Sequence, residues 1–281
     1  MLHLDRILVP VDFSPPCAAS ARHAIGLAAR FHSAIHILHV IESATQSPHP
    51  GEKESGPDWQ TDGRHAAAQS ALDRFVAREV APRQATTILR YGDAAAEIVR
   101  YAREIDCSLI AIPTRGHGML RRLLLGSVTA KVLHDAECPV WTGVHSESFS
   151  STAPAEITSV LCAVDFSAGS TTVLRWAGQF ASVYQAQLAI VHVLPAMHSS
   201  WRPALDRQAR RTLEQLLLAE GVEGSARVEF GEVGESVAAA ARSAGAHLIV
   251  VGRGGASAAL GRLRSSTYSI IRESPCPVVS V

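Results

Sequence analysis

The segment that decides the fold is RILVPVDFS at residues 6–14, because it returns as SVLCAVDFS at residues 159–167. Each copy is a short aliphatic run followed by Asp, Phe and Ser, a pattern typical of a strand that leads into a capped helix. A strand that is apolar at every position is buried on both faces, as in a parallel sheet. The repeat therefore predicts a parallel α/β fold that occurs twice in the chain.

Further matches follow in the same order along the chain. ILHV at 37–40 returns as IVHV at 190–193, YGD at 91–93 as FGE at 230–232, LIAI at 109–112 as LIVV at 248–251, and ECPV at 137–140 as PCPV at 275–278. Ordered self-similarity of this kind indicates duplication of a unit of about 140 residues. We place the first domain at 1–145 and the second at 158–281. The linker at 146–157 has the Ser, Thr, Ala and Pro content of connecting segments.

Within each unit, strands alternate with helices. In the first unit we predict strands at Ile7–Val11, Ile35–Val40, Thr86–Tyr91, Leu109–Pro113 and Val140–Gly143, and helices at Ala18–Phe31, His65–Val80, Asp93–Ile105 and Ser127–Ala136. The fold class is α/β, with two tandem doubly wound domains. Each has a five-stranded, mainly parallel sheet with helices on both faces. Such sheets bind ligands at the carboxyl ends of their strands.

Composition excludes several classes of protein. The 281 residues include 26 basic and 26 acidic side chains, and 47% are hydrophobic. That balance argues against a disordered chain and against an electrostatic nucleic-acid binder. No apolar run approaches the roughly 18–20 residues that span a bilayer, and the first residues lack the apolar core of a signal peptide. We therefore expect a cytoplasmic protein that contacts neither nucleic acid nor membrane. Five widely spaced cysteines argue against a disulfide framework and a zinc site.

The first chemical candidates are Asp12 and Asp165, which follow the first strand of each unit. A carboxylate at this edge of the sheet can accept hydrogen bonds from an adenine amine or a ribose, or help to hold a metal ion. Alternatively, it caps the following helix together with the nearby serine. The sequence leaves both alternatives open.

The loops after the fourth strand are the second candidates. The first unit has Gly116, then Gly126-Ser127 and Thr129, and the second has Gly252, Gly255 and the Ser265-Ser266 pair. Glycine lets a backbone approach phosphate closely, and a helix start presents N–H groups to an anion. Glycine and serine are also ordinary turn residues. Likewise, Arg115, Arg121 and Arg122 either contact phosphate or are solvated surface charges.

With these loops and the PVDFS segment at 10–14, each half resembles a universal stress protein domain, whose fold is Rossmann-like and of the adenine nucleotide alpha hydrolase type. That family's loop has Gly, two residues, Gly, nine residues, Gly, and then Ser or Thr, and it binds the ribose and phosphates of ATP in nucleotide-binding members. The resemblance implies a nucleotide site in the first unit at Pro10, Val11, Asp12, Val40, Ile112, Pro113, Gly116, Gly126, Ser127, Val128 and Thr129. It implies a second site at Asp165, Gly252, Gly255, Ser265 and Ser266.

Two departures from the family pattern rank these sites. Pro113 stands where the first glycine of the loop belongs, and proline has no N–H. In the second unit the third glycine is absent, and either Arg264 or Ser265 takes its place. A side chain there would occupy the space of the phosphate, so we expect the first unit to hold the better site.

The resemblance implies a stress-response or signalling protein that binds ATP or another adenine nucleotide, with Mg²⁺ assisting. The alternative is a stress scaffold that binds no nucleotide and acts through protein partners. We identify no P-loop, no residue set for a protein-held metal and no catalytic residue, so the activity would be at most a slow ATPase. Members of this family commonly pair through their last strands. The resemblance therefore implies that Pro139–Val144 and Pro277–Val281 join the two domains, and that two copies of the chain could also form a homodimer.

Overall fold

The computed structural model describes residues 2–42, 63–80, 85–115, 125–143, 156–196, 200–253 and 265–281. The predicted site residues Gly116 and Gly255 lie outside these ranges, as does most of the predicted linker. The described chain forms two successive sets of five strands and four helices.

The first unit is a five-stranded parallel sheet in the order β3-β2-β1-β4-β5. Its strands are β1 (Arg6–Pro10), β2 (Ala34–Ile41), β3 (Ala85–Tyr91), β4 (Leu109–Ile112) and β5 (Val140–Thr142), and its helices are α1 (Pro15–Phe31), α2 (Gly63–Glu79), α3 (Ala94–Glu104) and α4 (Ser127–Asp135). Ile7 on β1 lies opposite Ile35 on β2 and Leu109 on β4. The chain order reverses between β1 and β4, which opens a crevice at the carboxyl ends of these strands.

The second unit repeats this arrangement in the order β10-β9-β6-β7-β8. Its strands are β6 (Ser159–Ala163), β7 (Gln187–Leu194), β8 (Ser225–Phe230), β9 (Leu248–Val251) and β10 (Val278–Ser280), and its helices are α5 (Ser170–Tyr184), α6 (Arg202–Glu220), α7 (Val233–Ala244) and α8 (Ser265–Glu273). The fold prediction of two doubly wound α/β units is confirmed.

The two sheets join through their last strands. β5 pairs antiparallel with β10, with Trp141 opposite Val279, so that ten strands form one sheet. The Thr142 hydroxyl donates to the Val278 carbonyl at 3.1 Å, and the Ser280 hydroxyl donates to the Val140 carbonyl at 3.5 Å. The reciprocal bonds give the junction approximate two-fold symmetry.

Helices cover both faces of the sheet and bury one hydrophobic cluster on each. One cluster holds the apolar sides of α1, α2, α5 and α6, and includes Trp141 and Phe180. The other holds those of α3, α4, α7 and α8. Alternate residues of each strand point to alternate clusters, which explains why the strands read as continuous apolar runs. Within the described chain, no helix is both long and apolar enough to cross a membrane.

Helix α1 begins three residues earlier than the sequence predicts, at Pro15 rather than Ala18. Proline is accepted in the first turn of a helix, because the N–H it lacks has no partner there. Ser14 is the N-cap residue, but its side chain makes no capping bond. Instead the Ser14 N–H donates to Oδ1 of Asp12 at 2.9 Å.

Candidate functional site

A cavity of about 720 Å³ lies at the carboxyl ends of β1, β2 and β4, beside the start of α4. This volume is typical of small-molecule sites. Ten of the eleven residues predicted for the first site line it, namely Pro10, Val11, Asp12, Val40, Ile112, Pro113, Gly126, Ser127, Val128 and Thr129. The eleventh, Gly116, is outside the described residues. The fold therefore brings together residues that are more than a hundred positions apart in the sequence.

Asp12 enters this cavity from a strained turn. The next residue, Phe13, has a φ of 65°, in the left-handed region that bulky side chains rarely adopt. Its ring packs against His39 with centroids 4.4 Å apart, and Nδ1 of His39 lies 2.8 Å from the Val11 carbonyl oxygen. The same strain and the same histidine recur in the second unit, where Phe166 has a φ of 59° and stacks on His192 at 3.9 Å. Aromatic packing thus holds both turns.

The Asp12 carboxylate is oriented by two donors from its own turn and helix. Its Oδ1 accepts the Ser14 N–H at 2.9 Å and the Cys17 thiol at 2.8 Å. Burial, and next the charge of Asp12, raise the pKa of Cys17 to about 12, so the thiol keeps the proton that it donates. Asp12 therefore orders the turn at the start of α1 and also lines the cavity, while its role toward a ligand stays a prediction.

The start of α4 faces the same cavity. Its N-cap is Gly126, with φ −61° and ψ 145°, a residue that has no side chain with which to cap the helix. Ser127 is exposed, whereas Thr129 is buried and donates its hydroxyl proton to the Pro113 carbonyl at 2.8 Å. Thr129 thus ties the β4 loop to the helix, and the first-turn N–H groups and Ser127 remain the donors best placed for an anion.

The protein itself does not require glycine at position 126. Its φ is negative, and a Cβ placed there would meet the Thr114 carbonyl oxygen at 3.5 Å, an ordinary contact distance. A Cβ atom would therefore fit the backbone and the immediate packing. The absence of a side chain instead leaves the entrance to the α4 N-terminus open from the cavity.

The second unit has a corresponding but smaller cavity of about 290 Å³. Asp165, Gly252 and Ser266 line it, as predicted. For Ser265 only the backbone, at the start of α8, is described. Val233 lines the smaller cavity at the position that Ala94 has in the larger one, directly after the residue that precedes α7 or α3.

Matching hydrogen bonds at the starts of α4 and α8 align the two units in this region. Thr267 donates to the Gly252 carbonyl at 3.0 Å, as Thr129 donates to that of Pro113. Counting back three residues from each threonine places Arg264 opposite Gly126 and Ser265 opposite Ser127. The sequence alternative between Arg264 and Ser265 is therefore resolved in favour of arginine as the counterpart of the missing glycine.

Several residues that line the first cavity were not predicted. They are Cys17, Leu38, His39, Ile41, Glu42, Ala94, Ile98 and Leu125. Arg115, which the sequence offered as either a phosphate contact or a surface charge, also lines the cavity. The position of Cys17 five residues after Asp12, matched by Ser170 after Asp165, was a usable signal in the repeat. Ala94 and Ile98 lie on α3, whose packing over the sheet the sequence does not reveal. Over the described residues, no group of three or more His, Cys, Asp or Glu side chains could hold a metal ion.

Comparison with known proteins finds the same family in both halves of the chain. The model of the universal stress protein family matches residues 3–142 and again residues 156–281. Universal stress protein MJ0531 of Methanocaldococcus jannaschii is 32% identical over 139 residues, covering 48% of this chain and 79% of that protein. Universal stress protein YxiE of Bacillus subtilis is 32% identical over 142 residues, covering 48% and 96%. A universal stress protein from Archaeoglobus fulgidus has a similar fold over 99% of this chain and 96% of its own, with a TM-score of 0.70 and 24% identity.

Proposed function

The chain belongs to the universal stress protein family, as two tandem domains, and we propose that its first domain binds ATP or a related adenine nucleotide as the signal that sets the state of the protein. The observation that carries the proposal is the uncapped start of α4, which opens onto the larger cavity. Uncapped N–H groups and the positive end of the helix dipole favour a phosphate group.

In this proposal the nucleotide spans the cavity from α4 to β2. The phosphates lie at Gly126 and Ser127, where the helix has donors and the glycine leaves room. The nucleoside lies between Asp12 and the main chain of Val40, which line the far wall. A carboxylate held by Ser14 and Cys17 is preorganised to accept hydrogen bonds from a hydroxyl or an amine, which limits the entropy lost on binding.

The described chain offers little to Mg²⁺ by itself. Asp12 and the Ser127 hydroxyl are oxygen donors in the cavity wall, and Mg²⁺ commonly binds through one or two carboxylates together with substrate phosphates. We therefore propose that Mg²⁺ enters with the nucleotide, held chiefly by its phosphates. When bound, the cation would neutralise part of the phosphate charge at the start of α4.

The second domain is proposed to bind the nucleotide more weakly or not at all. Its cavity is less than half as large, and arginine takes the place of Gly126 in the aligned loops. A scaffold function without nucleotide is the alternative, and the experiment below separates the two.

Calorimetric titration of the full chain with ATP and Mg²⁺ tests the proposal. Wild type should bind one equivalent, and Gly126→Val should reduce affinity at least tenfold, because the valine side chain occupies the phosphate space. The variant should still fold, since position 126 has a negative φ and room for a Cβ. Ser266→Val is the matched control, because it changes the smaller cavity and introduces the valine already present at Val128 in the first unit.

The outcomes are distinct. Loss of binding in Gly126→Val alone supports the proposed site. Loss in Ser266→Val alone places the nucleotide in the second domain and contradicts the proposal. Absence of heat and of thermal stabilisation at millimolar ATP in folded wild type would favour the scaffold function.

A further inference from the structure

Two cysteines lie side by side at the starting ends of β4 and β5, away from the nucleotide cavity. These parallel strands pair with Ile110 opposite Val140, and the Ile110 N–H donates to the Pro139 carbonyl at 3.0 Å, so the segment that carries Cys138 lies beside the segment that leads from Cys107 into β4. Both side chains pack into the same hydrophobic cluster. The general spacing of neighbouring strands, about 4.8 Å, is compatible with the Cα–Cα range of about 4.4–6.8 Å that a disulfide bridges.

The two thiols are hydrogen-bonded to each other and differ in acidity. This bond lowers the pKa of Cys138, and the charge of Arg253 lowers it further against the effect of burial. The same bond, followed by burial, raises the pKa of Cys107. Cys138 is therefore the better nucleophile, while Cys107 stays protonated beside it.

The positive charge near Cys138 comes from the other domain. Arg253 follows β9, and its guanidinium donates to the Cys138 carbonyl at 2.9 Å and also to the carbonyl of Ala136. Packing of the second domain against the end of α4 thus fixes an arginine beside the cysteine pair. A cysteine with a lowered pKa that lies next to a second, protonated cysteine is typical of redox-sensitive sites.

We propose that Cys107 and Cys138 are a redox-active dithiol that hydrogen peroxide or an organic hydroperoxide oxidises to an intramolecular disulfide. The Cys138 thiolate attacks one peroxide oxygen, the O–O bond breaks, and Cys138 becomes a sulfenic acid while hydroxide leaves and is protonated to water, or alkoxide to the alcohol. The Cys107 sulfur then attacks the Cys138 sulfur, the S–O bond breaks, and hydroxide leaves with the Cys107 proton as water. Two thiols lose two electrons and one peroxide gains them.

Exposure agrees with this order of events. Cys138 is only partly buried, which gives a small peroxide access, whereas Cys107 is buried behind it. The repeat supplies an internal control, because the second domain has Ala246 in the place of Cys107 and Cys276 in the place of Cys138. Cys276 is buried, and burial raises its pKa to about 12. It therefore has neither a second thiol nor a lowered pKa.

The test is thiol mapping on the reduced full-length chain, and it is independent of nucleotide binding. After limiting hydrogen peroxide, the remaining thiols are alkylated in denaturant and the digest is analysed by mass spectrometry. We expect a linked Cys107–Cys138 peptide that dithiothreitol removes, and oxidation of Cys138 at least about tenfold faster than that of Cys276. Equal rates for Cys138 and Cys276, or a wild type without that linked peptide, would overturn the proposal.

Two variants assign the steps. Cys107→Ala, which copies the alanine of the second domain, should leave Cys138 as a sulfenic acid that dimedone traps. Cys138→Ala should leave Cys107 reduced under the same conditions. Oxidation of Cys107 in the Cys138→Ala protein at the wild-type rate would show that Cys138 does not initiate the reaction, and it would overturn the mechanism even if a disulfide forms in wild type.

Discussion

At the scale of single residues, the repeat shows how one position can be filled by different chemistry with the same geometry. Cys17 donates to Oδ1 of Asp12 at 2.8 Å, and Ser170 donates to Oδ1 of Asp165 at 3.2 Å. Both residues stand five positions after the aspartate, on the first turn of the following helix. A thiol and a hydroxyl can therefore both orient this carboxylate, provided that each keeps its proton.

We predict that Cys17→Ser retains nucleotide affinity and Cys17→Ala weakens it about two- to tenfold, the worth of one net hydrogen bond of about 0.5–1.5 kcal/mol. Serine supplies a hydroxyl donor, as Ser170 does in the second domain. Alanine removes the side-chain donor, so that of these two hydrogen bonds to Oδ1 of Asp12 only the one from the Ser14 N–H is kept. Titration calorimetry of both variants with ATP measures the difference. Equal affinity of the alanine variant and wild type would show that orientation of Asp12 by Cys17 does not matter for binding.

The site was predictable at residue level where a strand end or a helix start carries a sequence signal. Asp12, Gly126 and Ser127 were identified because a strand end and a helix start mark their places. Ala94 and Ile98 were not predicted as wall residues, since their contribution depends on how α3 packs over the sheet. Sequence patterns give the period of an element, whereas packing between elements is set by many side chains at once.

At the scale of elements, the YGD and FGE motifs mark equivalent turns with different helix caps. Gly92 and Gly231 have φ values of 138° and 146°, which only glycine adopts readily, and this explains their recurrence. Asp93 then caps α3, accepting the Ala96 N–H at 3.0 Å, whereas Glu232 makes no side-chain cap on α7. The extra methylene of glutamate distinguishes two otherwise equivalent helix starts.

We predict that Asp93→Ala lowers the free energy of unfolding by about 1 kcal/mol, as is usual for loss of a capping side chain. Glu232→Ala is the matched control and should change it by less than about 0.5 kcal/mol. Urea denaturation of the full chain, followed by circular dichroism, measures both. Equal effects of the two substitutions would contradict the assigned cap.

The contribution of Asp93 to the free energy of unfolding should also depend on pH. The Ala96 N–H bond, and next Lys131, lower the pKa of Asp93 below its ordinary value of 3.8. Because the folded state binds this proton less readily than the unfolded state, the stabilisation is complete above the ordinary value and is lost as the pH falls through the lowered one. The stability difference between wild type and Asp93→Ala should therefore shrink in strong acid.

At the scale of the whole molecule, the duplicated units are joined by more than a strand pair. Trp141 on β5 is buried and lies with its ring centroid 6.4 Å from that of Phe180 on α5. Phe31 on α1 lies 5.9 Å from Phe180 and 6.1 Å from Tyr184. The alternation of strands and helices and the doubly wound parallel sheet of each unit could be predicted from the repeated sequence pattern, because doubly wound sheets have few allowed topologies. The contacts across the junction could not, since no local pattern encodes them.

We predict that residues 1–146 expressed alone form dimers or aggregates. Removal of the second domain exposes the β5 edge together with Trp141 and Phe31, and an unpaired apolar edge strand readily pairs with another copy. Sedimentation velocity at several concentrations measures the association. A stable monomer at all of them would contradict the prediction.

Thr142→Pro in the same fragment provides the control. The Gly143 N–H points to the Ile112 carbonyl on β4, and N–H groups alternate in direction along a strand, so the Thr142 N–H points to the side where β10 lies in the full chain. Proline removes that donor while sparing the pairing with β4, because proline is tolerated on the open side of an edge strand. The Thr142→Pro fragment should therefore associate more weakly than the unmodified one. If both fragments associate equally, their contact does not run through the β5 edge, and the exposed aromatic surface around Trp141 must be its cause.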